Sequence, residues 1–300
     1  MSLIPDFITP HIWWIAALGC SVVTASAYLA GQYSKMDGNL TVFWRGVIPF
    51  FVTSPLLLFI EIPTSPYFYL ATLTTALIAS YTDTKNMNGA IQYGAGVSLR
   101  IRPYALWLVF LGWLIFSTSF REDFFADSER AMGIGAALLV VVISTSYMTK
   151  CPVSRASFMF FLPVILGGAC IDILNKTAMN FSPVLGGIVM YVWVQGIIIS
   201  GVCFAKRYFS KEKSVADFFK KRTLYIGIGI GFLFVVMSLM KNTAMTYTVN
   251  PAYVSAIVLC APVWTSIFYR LKGEKDKANE FVGLIVVASS IMLVILASSQ

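Results

Sequence analysis

The sequence predicts an all-α polytopic membrane protein, with ten transmembrane helices arranged as two inverted five-helix repeats in a single membrane domain of residues 1–300. Three observations predict it. Ten apolar stretches follow one another between His11 and Ala297, each near the ~20 residues that carry a helix across the ~30 Å hydrocarbon core of a bilayer. The chain is 58% hydrophobic and 12% charged, where soluble proteins carry about 25% charged residues. Residues of the first half also recur in the second in the same order. Cys20 meets Cys170, Arg45-Gly46 meets Gln195-Gly196 and Gly133 meets Gly283 at an offset of 150, and Pro103 meets Pro262 at 159. Five is odd, so two such repeats lie upside down relative to each other, as in many secondary transporters.

In the first repeat (about residues 11–149) the segments are His11–Gln32, Leu40–Ile60, Pro66–Tyr81, Gly89–Ser119 and Ala131–Thr149. The second repeat (about 157–297) holds Ser157–Met179, Val184–Ala205, Leu224–Thr246, Pro251–Leu271 and Phe281–Ala297. The start MSLIPDFITPH has no Lys or Arg, so it lacks the basic region of a secretory signal. Gly89–Ser119 exceeds one span. It is either one long helix, with Arg100 and Arg102 on nearly opposite faces, or a broken or re-entrant entry in which Pro103 opens the helix. The longest joint, Lys206–Arg222, reads as a short interfacial helix. The small residues of Ile226–Phe232 suit close helix packing, since no phosphate-loop Lys-Ser/Thr follows them.

Charge gives an orientation. Fifteen of the 22 Lys and Arg fall in the odd-numbered joints, seven of them in Lys206–Arg222. Four fall on the opposite side, Arg121 and Arg130 in the fourth joint and Lys176 and Lys241 toward outer span ends. Basic loops stay on the cytoplasmic side, so both termini are expected outside the cytoplasm of a cell (inner) membrane. The net charge of +8 clusters at membrane edges and does not point to nucleic acid. Five cysteines without CxxC spacing read as free thiols buried in apolar surroundings, and no metal or cofactor is expected.

Ionisable residues within apolar segments are costly and so mark sites. Arg45, Arg100 and Arg102 are candidate ligands for a carboxylate or phosphate, which the planar guanidinium fork suits, beside the alternative that they snorkel to the headgroups. Gln195 is the repeat mate of Arg45 and favours a polar seam between the halves. Asp172 and Lys176 stand four apart on one helical face, either as a structural ion pair or as a proton-coupling carboxylate tuned by a lysine. Lys241 reads as snorkelling from an outer span end. Trp44, Tyr93, Tyr104 and Tyr253 are candidates to line a cavity, beside packing or lipid contact. One His and no HExxH or GxSxG argue against an enzyme, although a membrane-embedded enzyme or a non-catalytic partner subunit stays open.

The stretch SAIVLCAPVWTSIFYRLKGEKDKANEFVGLIVVASSIMLVIL resembles the end of each repeat in the drug/metabolite transporter superfamily, EamA-like branch. There a mid-helix proline precedes an acidic joint and a Gly-containing last helix, here Pro262, Glu274 and Gly283. Arg45 in FWRGVIPFF is similar to the arginine often found in that family's second helix. The resemblance implies alternating-access transport of a small molecule and leaves the substrate open; with no ATPase motif in the sequence, the energy is expected from protons or a counter-substrate. Family members usually keep both termini in the cytoplasm with a basic second joint, whereas Glu61–Pro66 has no basic residue. The reading is therefore a secondary transporter of an anionic or zwitterionic metabolite, with proton-coupled export of a cationic or aromatic compound as the alternative.

Overall fold

The structure, a computed structural model, describes residues 9–95, 98, 103–147, 155–210, 214–273 and 280–298. Every regular element among the described residues is helical. In chain order these are α1 (Thr9–Ser34), α2 (Gly38–Thr53), α3 (Pro66–Tyr93), α4 (Pro103–Phe116), α5 (Thr118–Ala126) and α6 (Ser128–Tyr147). The second half has α7 (Arg155–Asn180), α8 (Val184–Tyr208), α9 (Lys221–Tyr247), α10 (Pro251–Val258), α11 (Ala261–Leu271) and α12 (Glu280–Ser298). Short 3-10 turns follow α2 (Ser54–Phe59) and precede α9 (Val215–Phe219). Seven helical segments among the described residues are long and apolar enough to cross a membrane, or eight if α4 and α5 form one bent span. That count marks an integral membrane protein and is fewer than the ten spans expected.

The third span departs most from expectation. It runs to Tyr93 rather than Tyr81, and so takes in Asp83, Lys85 and Asn86, which the sequence placed in a joint. Its polarity is arranged by face. Leu70, Leu73, Leu77 and Tyr81 are exposed at helical spacing, while Thr72, Thr75, Thr82, Thr84 and Asn86 are buried. Each of those threonines donates to the carbonyl four residues back, at 2.7–3.0 Å, so its hydroxyl needs no partner elsewhere. The start of α2 is tied to this helix: Asp37 caps it by accepting from Asn39 N at 2.8 Å, and Gly38 N donates to Asn88 Oδ1 at 2.7 Å.

The fourth segment is not one long helix, since Gly89–Tyr93 belongs to α3 and α4 begins at Pro103. At Ser117, whose hydroxyl accepts from Phe120 N, the chain turns by 102° into α5. The acidic stretch expected as a plain joint is thus largely helix, anchored by Phe120 and Phe124 against Phe110. The ninth segment is broken as well. α10 ends at Val258 and α11 starts at Ala261, which puts Pro262 in the first turn of a half-helix, where its missing N–H leaves no bond unmade. In the Lys206–Arg222 joint α8 continues to Tyr208, and the expected interfacial helix is only the five-residue turn Val215–Phe219. Cys20, Cys203 and Cys260 are buried as expected, Cys170 is exposed instead, and Cys151 lies outside the described residues.

The strongest packing pairs α1 with α9, α2 with α8, α3 with α7, α6 with α12 and α2 with α9. At the α2–α8 crossing the backbones touch. A Cβ on Gly46 would lie 2.7 Å from the carbonyl oxygen of Gly196, and a Cβ on Gly196 would lie 2.7 Å from that of Gly46. Only glycine permits so close an approach.

Candidate functional site

Beside that crossing the helices part around a cavity of about 130 Å³, walled by α1, α2, α3, α4, α7, α8, α9 and α10. Two ion pairs face into it. Arg45, one residue before the Gly46 contact, pairs with Asp83 on α3, and its guanidinium also lies 4.8 Å from the centre of the Phe234 ring on α9. One turn beyond Asp83, Asn86 donates to the Tyr28 hydroxyl on α1 and accepts from Ser98. The cavity wall on this side is thus a hydrogen-bonded network carrying one charge of each sign.

The second pair joins α7 to α9. Lys241 Nζ lies 2.5 Å from Asp172 Oδ1, and the Ser255 hydroxyl on α10 donates to Asp172 Oδ2 at 2.6 Å. Next to it Asn175 Nδ2 donates to Asn242 Oδ1 at 3.0 Å, with both side chains buried. Tyr191 and Gln195 on α8 stand one turn apart and line the same cavity, and Tyr191 is within electrostatic reach of both Arg45 and Asp172. Apolar walls such as Phe161, Ile165 and Val258 lower the dielectric around these groups, which strengthens every charge interaction inside.

Of the residues expected from sequence, the structure brings Arg45, Gln195 and Asp172 together on one cavity. Others lie elsewhere. Trp44 packs away from the cavity, its Nε1 donating to Phe218 O at 3.2 Å and its ring filling the space over Gly227. Tyr93 sits behind the cavity wall against Phe160 and Phe161, and Tyr253 is fully buried against Trp13 and Phe120. Neither lines the cavity, and nor does Tyr104, which is exposed and edges onto Phe158. Asp172 pairs with Lys241 rather than Lys176. Lys176 is 6% exposed, does not line the cavity and has no ion pair among the described residues. Spacing along one helix cannot compete here with a cation that the neighbouring helix delivers straight to the carboxylate. Lys241 accordingly turns inward rather than snorkelling. Arg100 and Arg102 lie outside the described residues.

Asp83, Lys241, Asn86, Tyr28 and Ser255 are site residues that the sequence reading did not select. For Asp83 and Asn86 a signal exists: Thr75, Thr82, Asp83 and Asn86 recur on one helical face, a polar stripe that continues past the supposed end of the span. No group of three or more metal-ligating side chains occurs among the described residues.

No family model matches the chain, and no curated protein does. Twenty solved chains match it in fold. One of them, titled only "Crystal structure of protein", aligns over 96% of this chain and 98% of its own length with a TM-score of 0.63 and 11% identity. That likeness is one of fold alone.

Proposed function

We propose that the protein is a secondary transporter, built from two inverted five-helix repeats, that carries a small polar anionic or zwitterionic metabolite across a cell membrane by alternating access. The observation that carries this reading is the polar cavity holding two partly buried ion pairs where the halves meet. A bundle that only packed would not keep four charged side chains around a void, because such groups are expensive in a membrane interior and gather at transport paths.

The packing supports the repeat. Let α1, α2, α3, α4–α5 and α6 be the five members of the first half, matched in order by α7, α8, α9, α10–α11 and α12. Exchanging each member with its counterpart turns the α1–α9 contact into α7–α3, α2–α9 into α8–α3, and α1 with α10 and α11 into α7 with α4. It returns α2–α8 and α6–α12 to themselves, and all of these contacts occur. The mutual Gly46–Gly196 approach falls on residues 150 apart, as an axis through that crossing requires. α3 and α6, at 28 and 20 residues, are the further members that bring eight spans to ten. The repeat proline of each half begins a helix, Pro103 at α4 and Pro262 in the first turn of α11.

The charge asymmetry orients this bundle with the Lys206–Arg222 joint in the cytoplasm and both termini outside. With Lys241 inside the cavity and Lys176 buried, fewer basic residues remain for the opposite face, which sharpens the asymmetry. A fluorescent protein fused after Gln300 that matures in the cytoplasm overturns the orientation and leaves the transport reading intact.

The test of function is uptake of labelled metabolites by proteoliposomes, chosen after a thermal-shift screen of purified protein. Saturable uptake that Arg45→Gln abolishes, while the variant still folds, is the expected result. Stabilisation by no member of a broad panel, with no flux, would instead favour a partner subunit.

A further inference from the structure

Among the described residues the cavity wall carries four charged side chains: Arg45 and Lys241, each basic, and Asp83 and Asp172, each acidic. In their ionised forms they sum to zero, and each is already paired within the protein. Lys176, one turn past Asp172, is buried and does not line the cavity. A monovalent anion entering such a site leaves an uncompensated negative charge in a low-dielectric interior, and a monovalent cation does the reverse. A molecule carrying both charges adds none.

The two pairs also differ in how a ligand can join them. Asp172 gives Oδ1 to Lys241, but its Oδ2 is held by a neutral hydroxyl, that of Ser255. An ammonium group that displaces Ser255 exchanges a neutral donor for a charged one at that oxygen and leaves the Lys241 bond in place. Arg45 carries five N–H donors in a planar fork, more than one carboxylate takes up, so it can hold Asp83 and a second carboxylate together. Tyr191 lines the same cavity as Arg45 and Asp172. The volume of about 130 Å³ is near that of cavities of about 150 Å³ that hold a single small ring, which sets the scale of the ligand.

We infer that the substrate is a small zwitterion whose carboxylate binds Arg45 and whose ammonium binds Asp172 in place of Ser255, so that each transport cycle is electroneutral. The inference rests on reading the cavity as the transport site. The contacts then alternate in charge: Asp83, Arg45, substrate carboxylate, substrate ammonium, Asp172, Lys241.

The experiment uses the full-length protein in lipid and three chemical forms of each of four amino acids, alanine, serine, leucine and phenylalanine. The free form is the zwitterion, the N-acetyl form is an anion and the carboxamide is a cation. Thermal shift and proteoliposome flux are measured for each, with and without a potassium–valinomycin potential. At least one free amino acid is expected to bind about tenfold more tightly than both of its blocked forms, with flux indifferent to the potential. Asp172→Asn is expected to erase the preference over the N-acetyl form while Arg45 still holds the carboxylate. Ser255→Ala, which leaves both ion pairs intact, is expected to tighten zwitterion binding a few-fold by vacating Oδ2 and so guards against a misfolded Asp172 variant. Preference for a blocked form, binding by no zwitterion of the panel, or weaker binding in Ser255→Ala overturns the inference. Flux of an N-acetyl form alone would do so while sustaining the transporter reading, whereas zwitterion-selective binding without flux would sustain the ligand class and defeat transport.

Discussion

The two ion pairs use the same chemistry but are not held alike. Arg45 and Asp83 are 13% and 17% exposed, flanked by the Phe234 ring and the Asn86–Tyr28 network. Lys241 is 23% exposed, and its partner Asp172 leans on a single serine for its second oxygen. The first pair sits beside the crossing where the backbones of α2 and α8 are in contact and can come no closer. The second joins α7, α9 and the short half-helix α10; of these α9 is braced on α2, where a Cβ on Gly231 would lie 2.9 Å from the Trp44 carbonyl oxygen, whereas the Ser255 hydroxyl that holds Asp172 comes from α10. The difference teaches that the cavity has a rigid charged wall and a more yielding one, and that the yielding wall is where an arriving group meets the least resistance.

Breaking the rigid wall is expected to have the largest effect. Asp83→Ala leaves Arg45 buried without its carboxylate and should destabilise the protein by about 3–5 kcal/mol. The pairwise replacement Asp83→Leu with Arg45→Met should recover most of that stability and none of the proposed transport. Chemical unfolding in mixed micelles checks both, and equal stability of the single and double variants would show that the pair is not coupled. Next comes the crossing itself. Gly196→Ala sets a methyl against the Gly46 carbonyl, which cannot rotate away, and is expected to cost about 1–3 kcal/mol. Its counterpart Gly46→Ala should match it in the same assay. A large inequality would mean the crossing is less symmetric than its geometry.

A smaller loss is expected at the yielding wall. Asp172→Asn keeps the shape and an acceptor for Lys241, and should cost about 1–2 kcal/mol, less than Asp83→Ala. If it proves the costlier of the two, the contrast between the walls is reversed.

The smallest effect lies outside the membrane. Hydrogen bonds from Lys220 and then Arg207 hold the Asp217 carboxyl below its ordinary range. A lowered folded-state pKa contributes stability above the ordinary aspartate value and loses it as pH falls through the folded one. Acidification below about pH 4 should therefore loosen the Val215–Phe219 turn, read as faster amide exchange there, and Asp217→Asn should remove that pH dependence.

The helical membrane class was legible because bilayer thickness leaves a length signature in the apolar stretches, seven or eight of which, among the described residues, are long and apolar enough to cross. Gly46 and Gly196, paired in the sequence at an offset of 150, meet at the α2–α8 crossing. The end of α3 was not legible, because Asp83 and Asn86 look like loop residues until Arg45 and Tyr28 supply their partners from other helices. The break after Val258 was equally hidden: Pro262 reads as mid-span until Leu259 and Cys260 are seen to end one helix and begin another. Asp172 could be singled out by its cost in an apolar segment, but its partner could not. Lys176 satisfies the helical spacing rule, whereas Lys241 comes from 69 residues away.

The inward polarity of α3 has a consequence for how the chain is made. Its outer stripe of Leu70, Leu73, Leu77 and Tyr81 is apolar, but Asp83, Lys85, Asn86 and Asn88 make its second half a poor candidate for entering lipid alone. Arg45, already synthesised on α2, can neutralise Asp83, yet the face that packs on α7 stays bare until the ribosome has passed Asn180. Folding of α3 therefore waits on α7, and a chain truncated after Tyr147 should be held at the insertion machinery or degraded rather than settle as a stable product.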